Sequence, residues 1–165
     1  MGGGDTLFVP KIWKGLIDRL HIDGYGEFIM NSYQNIPEHS FNVFPENNSL
    51  KQIHPKLHTI RKDEKNLWVP DRKIHMVVFN RTKNRFQFAP VLEVKSIQHV
   101  KITYDEKVCE ECCIEPAVFV NGKLQNIEKL EQLARNDGFK SAQQFCQWFS
   151  EDFTGKIIHW TNLKY

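Results

Sequence analysis

The chain has 165 residues, of which 41% are hydrophobic, and a net charge of +2. That length and apolar content fit one domain with a real core. The near-neutral balance excludes a general polycation, so any nucleic-acid contact has to be a local patch. No apolar run approaches the length of a membrane helix. The opening Met1-Gly2-Gly3-Gly4-Asp5 lacks the basic-then-apolar order of a secretory leader, so residues 1–5 read as a flexible leader and the protein as cytoplasmic.

Trp13, Leu16, Ile17 and Leu20 fall at i, i+3, i+4 and i+7, which predicts an amphipathic helix over 10–22 with Pro10 near its start. Residues 23–53 hold Gly24, Gly26, Pro37 and Pro45 and predict one short strand near Glu27–Met30 inside a long irregular insertion. A loop of that length serves as a functional lid or stays disordered. From Lys73 the pattern is that of strands. "KIHMVVFN" is followed by the polar turn "NRTKNR", a returning "FQF" with Phe86 and Phe88 on one face, and "VLEVKSIQHVKITY" with alternating Val100, Ile102 and Tyr104. "AVFV" ends in Asn121-Gly122, a hairpin signal.

Two helices are predicted next. "IEKLEQLARN" places Ile127, Leu130, Leu133 and Ala134 on one stripe, with Gly138 positioned to stop it. "SAQQFCQWFSEDF" opens on the capping spacing Ser141…Gln144 and buries Phe145, Trp148 and Phe149. A last strand runs from Gly155, with Ile157 and His159 on one face and Ile158 and Trp160 on the other. Strands with segregated helices make an α+β fold with a small curved sheet or barrel, in a single domain over residues 6–165.

Three groups of residues could carry chemistry. Lys56, Thr59 and Arg61 place a hydroxyl near an amine, the minimal nucleophile–base pair, with a guanidinium able to fork onto phosphate or a carbonyl oxygen. In a plain strand Lys56 and Thr59 point to opposite faces, so they converge only if the chain bends between them. The competing reading is a solvated basic edge strand. Asp137 lies at the end of a helix, where the dipole disfavours a carboxylate, and so invites a functional explanation beside the ordinary turn chemistry of Asp-Gly. Cys109, Cys112 and Cys113 form a C-x-x-C with one more thiol, but no second ligand pair completes a tetrahedron, so neither metal nor cofactor is expected. His159 reads as a buried, hydrogen-bonded residue.

"K-L-H-T-I-R", "W-V-P-D-R-K-I-H", "LARNDGFKSAQQFCQWF" and "GKIIHWTNLKY" together resemble the ASCH domain family over about residues 55–165 and the first helix. The resemblance implies a PUA-like small β-barrel with helices packed at its ends, and an RNA-associated role. Some members of that family are amidohydrolases that remove an acyl group from N4 of cytidine, using a Lys and a Thr of this element and a later acid. Carried over by position, Lys56, Thr59 and Asp137 are the catalytic candidates, Asp standing where the family has Glu. Arg61, His58 and Trp68 make up the substrate-binding candidates.

Two functions follow as expectations: an RNA- or nucleotide-binding protein with a cationic cleft, or an amidohydrolase acting on N4-acylated cytidine or a related nucleoside. A protein partner using residues 23–53 is a third possibility, and a membrane partner is not expected.

Overall fold

The computed structural model describes residues 7–22, 53–105 and 116–165. The strand expected near Glu27–Met30, the 23–53 insertion up to residue 52, and Cys109, Cys112 and Cys113 lie outside the described residues. The chain divides into two compact units, Met1–Lys56 with Lys73–Leu92, and Leu57–Arg72 with Glu93–Tyr165.

In the first unit, α1 (Phe8–Leu20) follows the expected stripe, beginning two residues earlier than predicted. Val9, Ile12, Trp13 and Leu16 are buried, and the Trp13 indole N–H donates to the Phe88 carbonyl at 2.9 Å. That bond satisfies the one polar atom of an otherwise apolar ring. The expected strand after Lys73 is broken into β2 (Lys73–Ile74) and β3 (Val77–Val78). β3 pairs antiparallel with β4 (Phe86–Gln87), and the Phe88 N–H donates to the Met76 carbonyl at 3.0 Å, which extends the pairing past the ladder. Phe86 and Phe88 are both buried, as their spacing requires. β5 (Leu92–Glu93) is the strand at which the chain passes into the second unit.

The second unit is built on an antiparallel sheet of β1 (His58–Arg61), β6 (Ser96–Thr103), β7 (Ala117–Val120), β8 (Lys123–Leu124) and β9 (Phe153–His159). Its order is β1-β9-β6-β7-β8, so β9 is inserted between two strands that precede it. Asn121 and Gly122 both adopt positive φ (49° and 76°), the backbone of the tight hairpin turn that joins β7 to β8. Two helices follow, α2 (Ile127–Asn136) and α3 (Ala142–Trp148). The Asn126 side chain caps α2 by accepting from Lys129 N, and Ser141 caps α3 by accepting from Gln144 N.

Period-2 alternation divides the sheet into two faces. Ile60, Val100, Ile102, Val118, Val120 and Ile157 project toward Leu130, Leu133, Ala134, Ala142 and Phe145 of the helices and form one core. Two expected core positions are instead exposed. Trp148 is 73% exposed because α3 ends on it, and Ile127 is 56% exposed as the first residue of α2.

Gly155 lies on the helix-covered face, where a Cβ would come 2.7 Å from the Phe153 ring and 2.6 Å from the Arg61 carbonyl. Gly155→Ala is therefore expected to cost about 1–3 kcal/mol of stability through overpacking, read as a lowered denaturation midpoint. An unchanged midpoint would show that the Phe153 ring yields freely.

The architecture is thus mixed α+β with a mostly antiparallel sheet. Among the described residues, β1 and β8 are its two edges, and no helix is long and apolar enough to cross a membrane.

Candidate functional site

β1 begins at His58, so Lys56 precedes the strand and is not bound by its alternation. Lys56 is 7% exposed, and its backbone N–H donates to the Lys11 carbonyl at 2.9 Å. Within β1, His58 and Ile60 face the helices while Thr59 and Arg61 take the opposite face, which the burial pattern follows.

Asp137 closes α2 and lies against β1. Its Oδ1 accepts the Ile60 N–H at 3.1 Å and sits 3.4 Å from His58 Nδ1, with the Asp137 side chain 9% exposed. The Leu57 N–H donates to the Asn136 carbonyl at 2.8 Å. The end of α2 therefore covers backbone donors on the outer side of an edge strand, which answers both the edge problem and the unfavourable dipole position of the carboxylate.

Beyond His58 the polar contacts continue. His58 Nε2 is 2.8 Å from the Tyr165 hydroxyl, and Asn136 Nδ2 donates to the same oxygen at 2.9 Å. With the Tyr165 oxygen accepting from Asn136, its proton is assigned to His58 Nε2, which leaves the His58 Nδ1 proton facing Asp137. Tyr165 is fixed from its other end by Gln98, whose amide donates to the Tyr165 carbonyl (2.9 Å) and accepts its N–H (3.0 Å). Burial pushes the Tyr165 hydroxyl well above the usual phenol range; the Asn136 hydrogen bond opposes that and the Asp137 charge adds to it. The group is a neutral donor rather than a phenolate.

His159 stands opposite both His58 and Ser96 across the sheet. It is fully buried, as expected, but among the described residues neither of its ring nitrogens has a hydrogen-bond partner, and the same holds for Ser96 Oγ. Burial first, then the charges of His58 and Lys164, hold the His159 imidazole down at about 3.

The other face is organised by an ion pair that sequence reading missed. Lys156 Nζ lies 2.8 Å from Asp63 Oδ2, with side chains 10% and 3% exposed. Lys156 also donates to the Trp68 carbonyl at 3.2 Å, and Asp63 accepts the N–H groups of Leu67 (2.8 Å) and Trp68 (3.0 Å). Burial alone would raise the Asp63 carboxyl. The bonds from Lys156, Trp68 and Leu67, with the Lys156 charge, outweigh it and hold the group at about 2. The loop after β1 is thereby pinned, and the Arg72 guanidinium stacks over the Trp68 ring at 5.3 Å while donating to the Leu67 carbonyl.

The structure thus joins Asp137 to His58 and places Thr59 and Arg61 on the opposite face of the strand. Asn136, Tyr165, Gln98 and Ser96 complete the buried cluster, and no sequence signal singled them out. Cys146 is half-buried, and burial raises its thiol. Among the described residues no group of three His, Cys, Asp or Glu could hold a metal ion. Compared with known proteins, the chain matches no family model, no curated protein sequence and no solved structure.

Proposed function

We propose that the chain is an RNA- or nucleotide-binding protein, similar to ASCH domains, that uses the Lys56–Arg61 element for recognition. One observation carries this reading. Asp137 is engaged with His58 and the Ile60 N–H on the helix side of β1, whereas Thr59 and the exposed Arg61 leave the strand on the other face. The strand itself therefore keeps the Thr hydroxyl and the acid apart, and leaves an exposed guanidinium suited to phosphate. The same reading carries a PUA-like barrel, a cytoplasmic location and a role in RNA metabolism.

The amidohydrolase alternative draws support from a different set, the carboxylate–imidazole–hydroxyl order of Asp137, His58 and Tyr165. That order resembles a general-base line, but His58 is fully buried.

Two assays on one preparation distinguish them. Labelled single-stranded RNA is expected to bind with an affinity that falls steeply as salt rises, and Arg61→Ala is expected to lower the log–log salt slope by about 0.7. N4-acetylcytidine is expected to release no cytidine. Release that disappears in His58→Gln, without RNA binding, would reverse the order of the two readings.

A further inference from the structure

The face of the sheet turned away from the helices has a chemistry of its own. Two of its cross-strand rows, Arg61–Lys156–His99 and Thr154–Lys101–Phe119–Leu124, lie between the rows Thr59–Ile158–Ile97 and Thr103–Ala117, in which Ile158, Thr103 and Ala117 are buried. Arg61, His99, Lys101, Thr154 and Leu124 are exposed and Phe119 is half-buried. None of these positions carries a carboxylate. Asp63, which reaches this face, is neutralised by Lys156. Asp152 lies at the far end, where it accepts from the Thr103 hydroxyl and the Tyr104 N–H.

The Trp68 backbone borders the same face, where the Lys156 ammonium holds its carbonyl at 3.2 Å. On the sheet itself, the Phe119 ring stands opposite Lys101 in one cross-strand row. From Lys156 to Phe119 the path crosses two strand spacings and two residues along the strand, a span of ~12 Å. A flat ring beside exposed Lys and Arg suits a polyanion whose bases are free to stack, and a duplex does not offer its bases to a flat sheet.

We propose that this face is a platform for single-stranded nucleic acid, with Phe119 stacking one base and Lys101, His99 and Arg61 contacting the backbone. The proposal rests on the nucleic-acid reading above and extends it from the β1 element to the full width of the sheet.

The test is fluorescence anisotropy with a labelled single-stranded RNA about a dozen nucleotides long and a hairpin duplex of the same composition, at several salt concentrations. The single strand is expected to bind more tightly than the duplex. Phe119→Leu is expected to weaken binding about 5- to 100-fold, the loss of one stacked base. Phe119→Tyr, which keeps the ring, restores it. Lys101→Ala, at an exposed position that leaves the fold intact, lowers the salt slope by about 0.7. Binding that needs Arg61 but is indifferent to Lys101 and Phe119 overturns the platform and leaves the β1 reading standing. Equal affinity for duplex and single strand also overturns it. Binding of neither overturns both readings.

Discussion

Between about pH 7 and about pH 4 the protein is expected to lose about 3 kcal/mol of stability through His159 alone. The folded state holds this imidazole neutral, at about 3, in a site flanked by His58, Ser96 and the Tyr165 ring. In the unfolded chain it protonates near its ordinary value of 6.5. Across that interval the unfolded state binds more protons, so stability rises with pH there. The contribution is complete above the unfolded value and is lost as pH falls toward the folded one. Asp63, held at about 2, adds its own loss only below that interval, as pH falls under its ordinary 3.8. Denaturant titrations of wild type and His159→Leu over this range separate the contribution of His159 from those of other histidines. The variant is expected to show a flatter acid limb, and parallel limbs would show that the buried ring is not the source.

The second large effect is expected at Asp137. Removing its carboxylate in Asp137→Ala leaves the Ile60 N–H without its acceptor and the fully buried His58 Nδ1–H without the carboxylate it faces, a loss of about 2–4 kcal/mol. Asp137→Asn keeps an oxygen for Ile60 and gives up only the charge, so it is expected to cost about 1 kcal/mol. The ratio of the two matters more than either value. Equal losses would mean that the charge beside His58 carries the effect, and two small losses would mean that the end of α2 does not hold the edge of β1. The same pair of variants bears on the amidohydrolase reading, because Asp137→Asn keeps the fold while changing the group that faces His58.

Much of the local structure was legible. The Asn121-Gly122 hairpin, the α2 boundaries, the Ser141 cap, and the alternation of Ile157 and His159 against Ile158 all follow from spacing that acts within a few residues. The reading failed where the answer depends on what lies opposite. Trp148 has the right period for a buried stripe, but α3 stops there, and with the Phe139 ring as its ring contact among the described residues it stays largely exposed. Lys156 and Asp63 are 93 residues apart, so neither looks like half of a buried pair. The candidate site shows the same limit. His58 and Asp137 were each singled out, one as a ligand contact and the other as a catalytic acid, but their contact depends on α2 ending against β1. Tyr165 carries no motif, and only the tertiary fold gives its hydroxyl to His58. The unpartnered nitrogens of His159 could not have been anticipated, because its alternation is that of an ordinary core residue.

The insertion of β9 between β1 and β6 has a kinetic consequence. His58 pairs with His159 across about 100 residues of chain, whereas the β7–β8 hairpin and the α2–α3 pair are local. Closing so long a loop is an entropic cost met before the pairing rewards it, so the local elements are free to form first while β1 and β6 lack their shared neighbour. During synthesis, β1 would wait unpaired until β9 had left the ribosome. The buried row of His58, His159 and Ser96 would then be among the last parts of this unit to assemble, and sensitivity to aggregation would concentrate in the interval before it does.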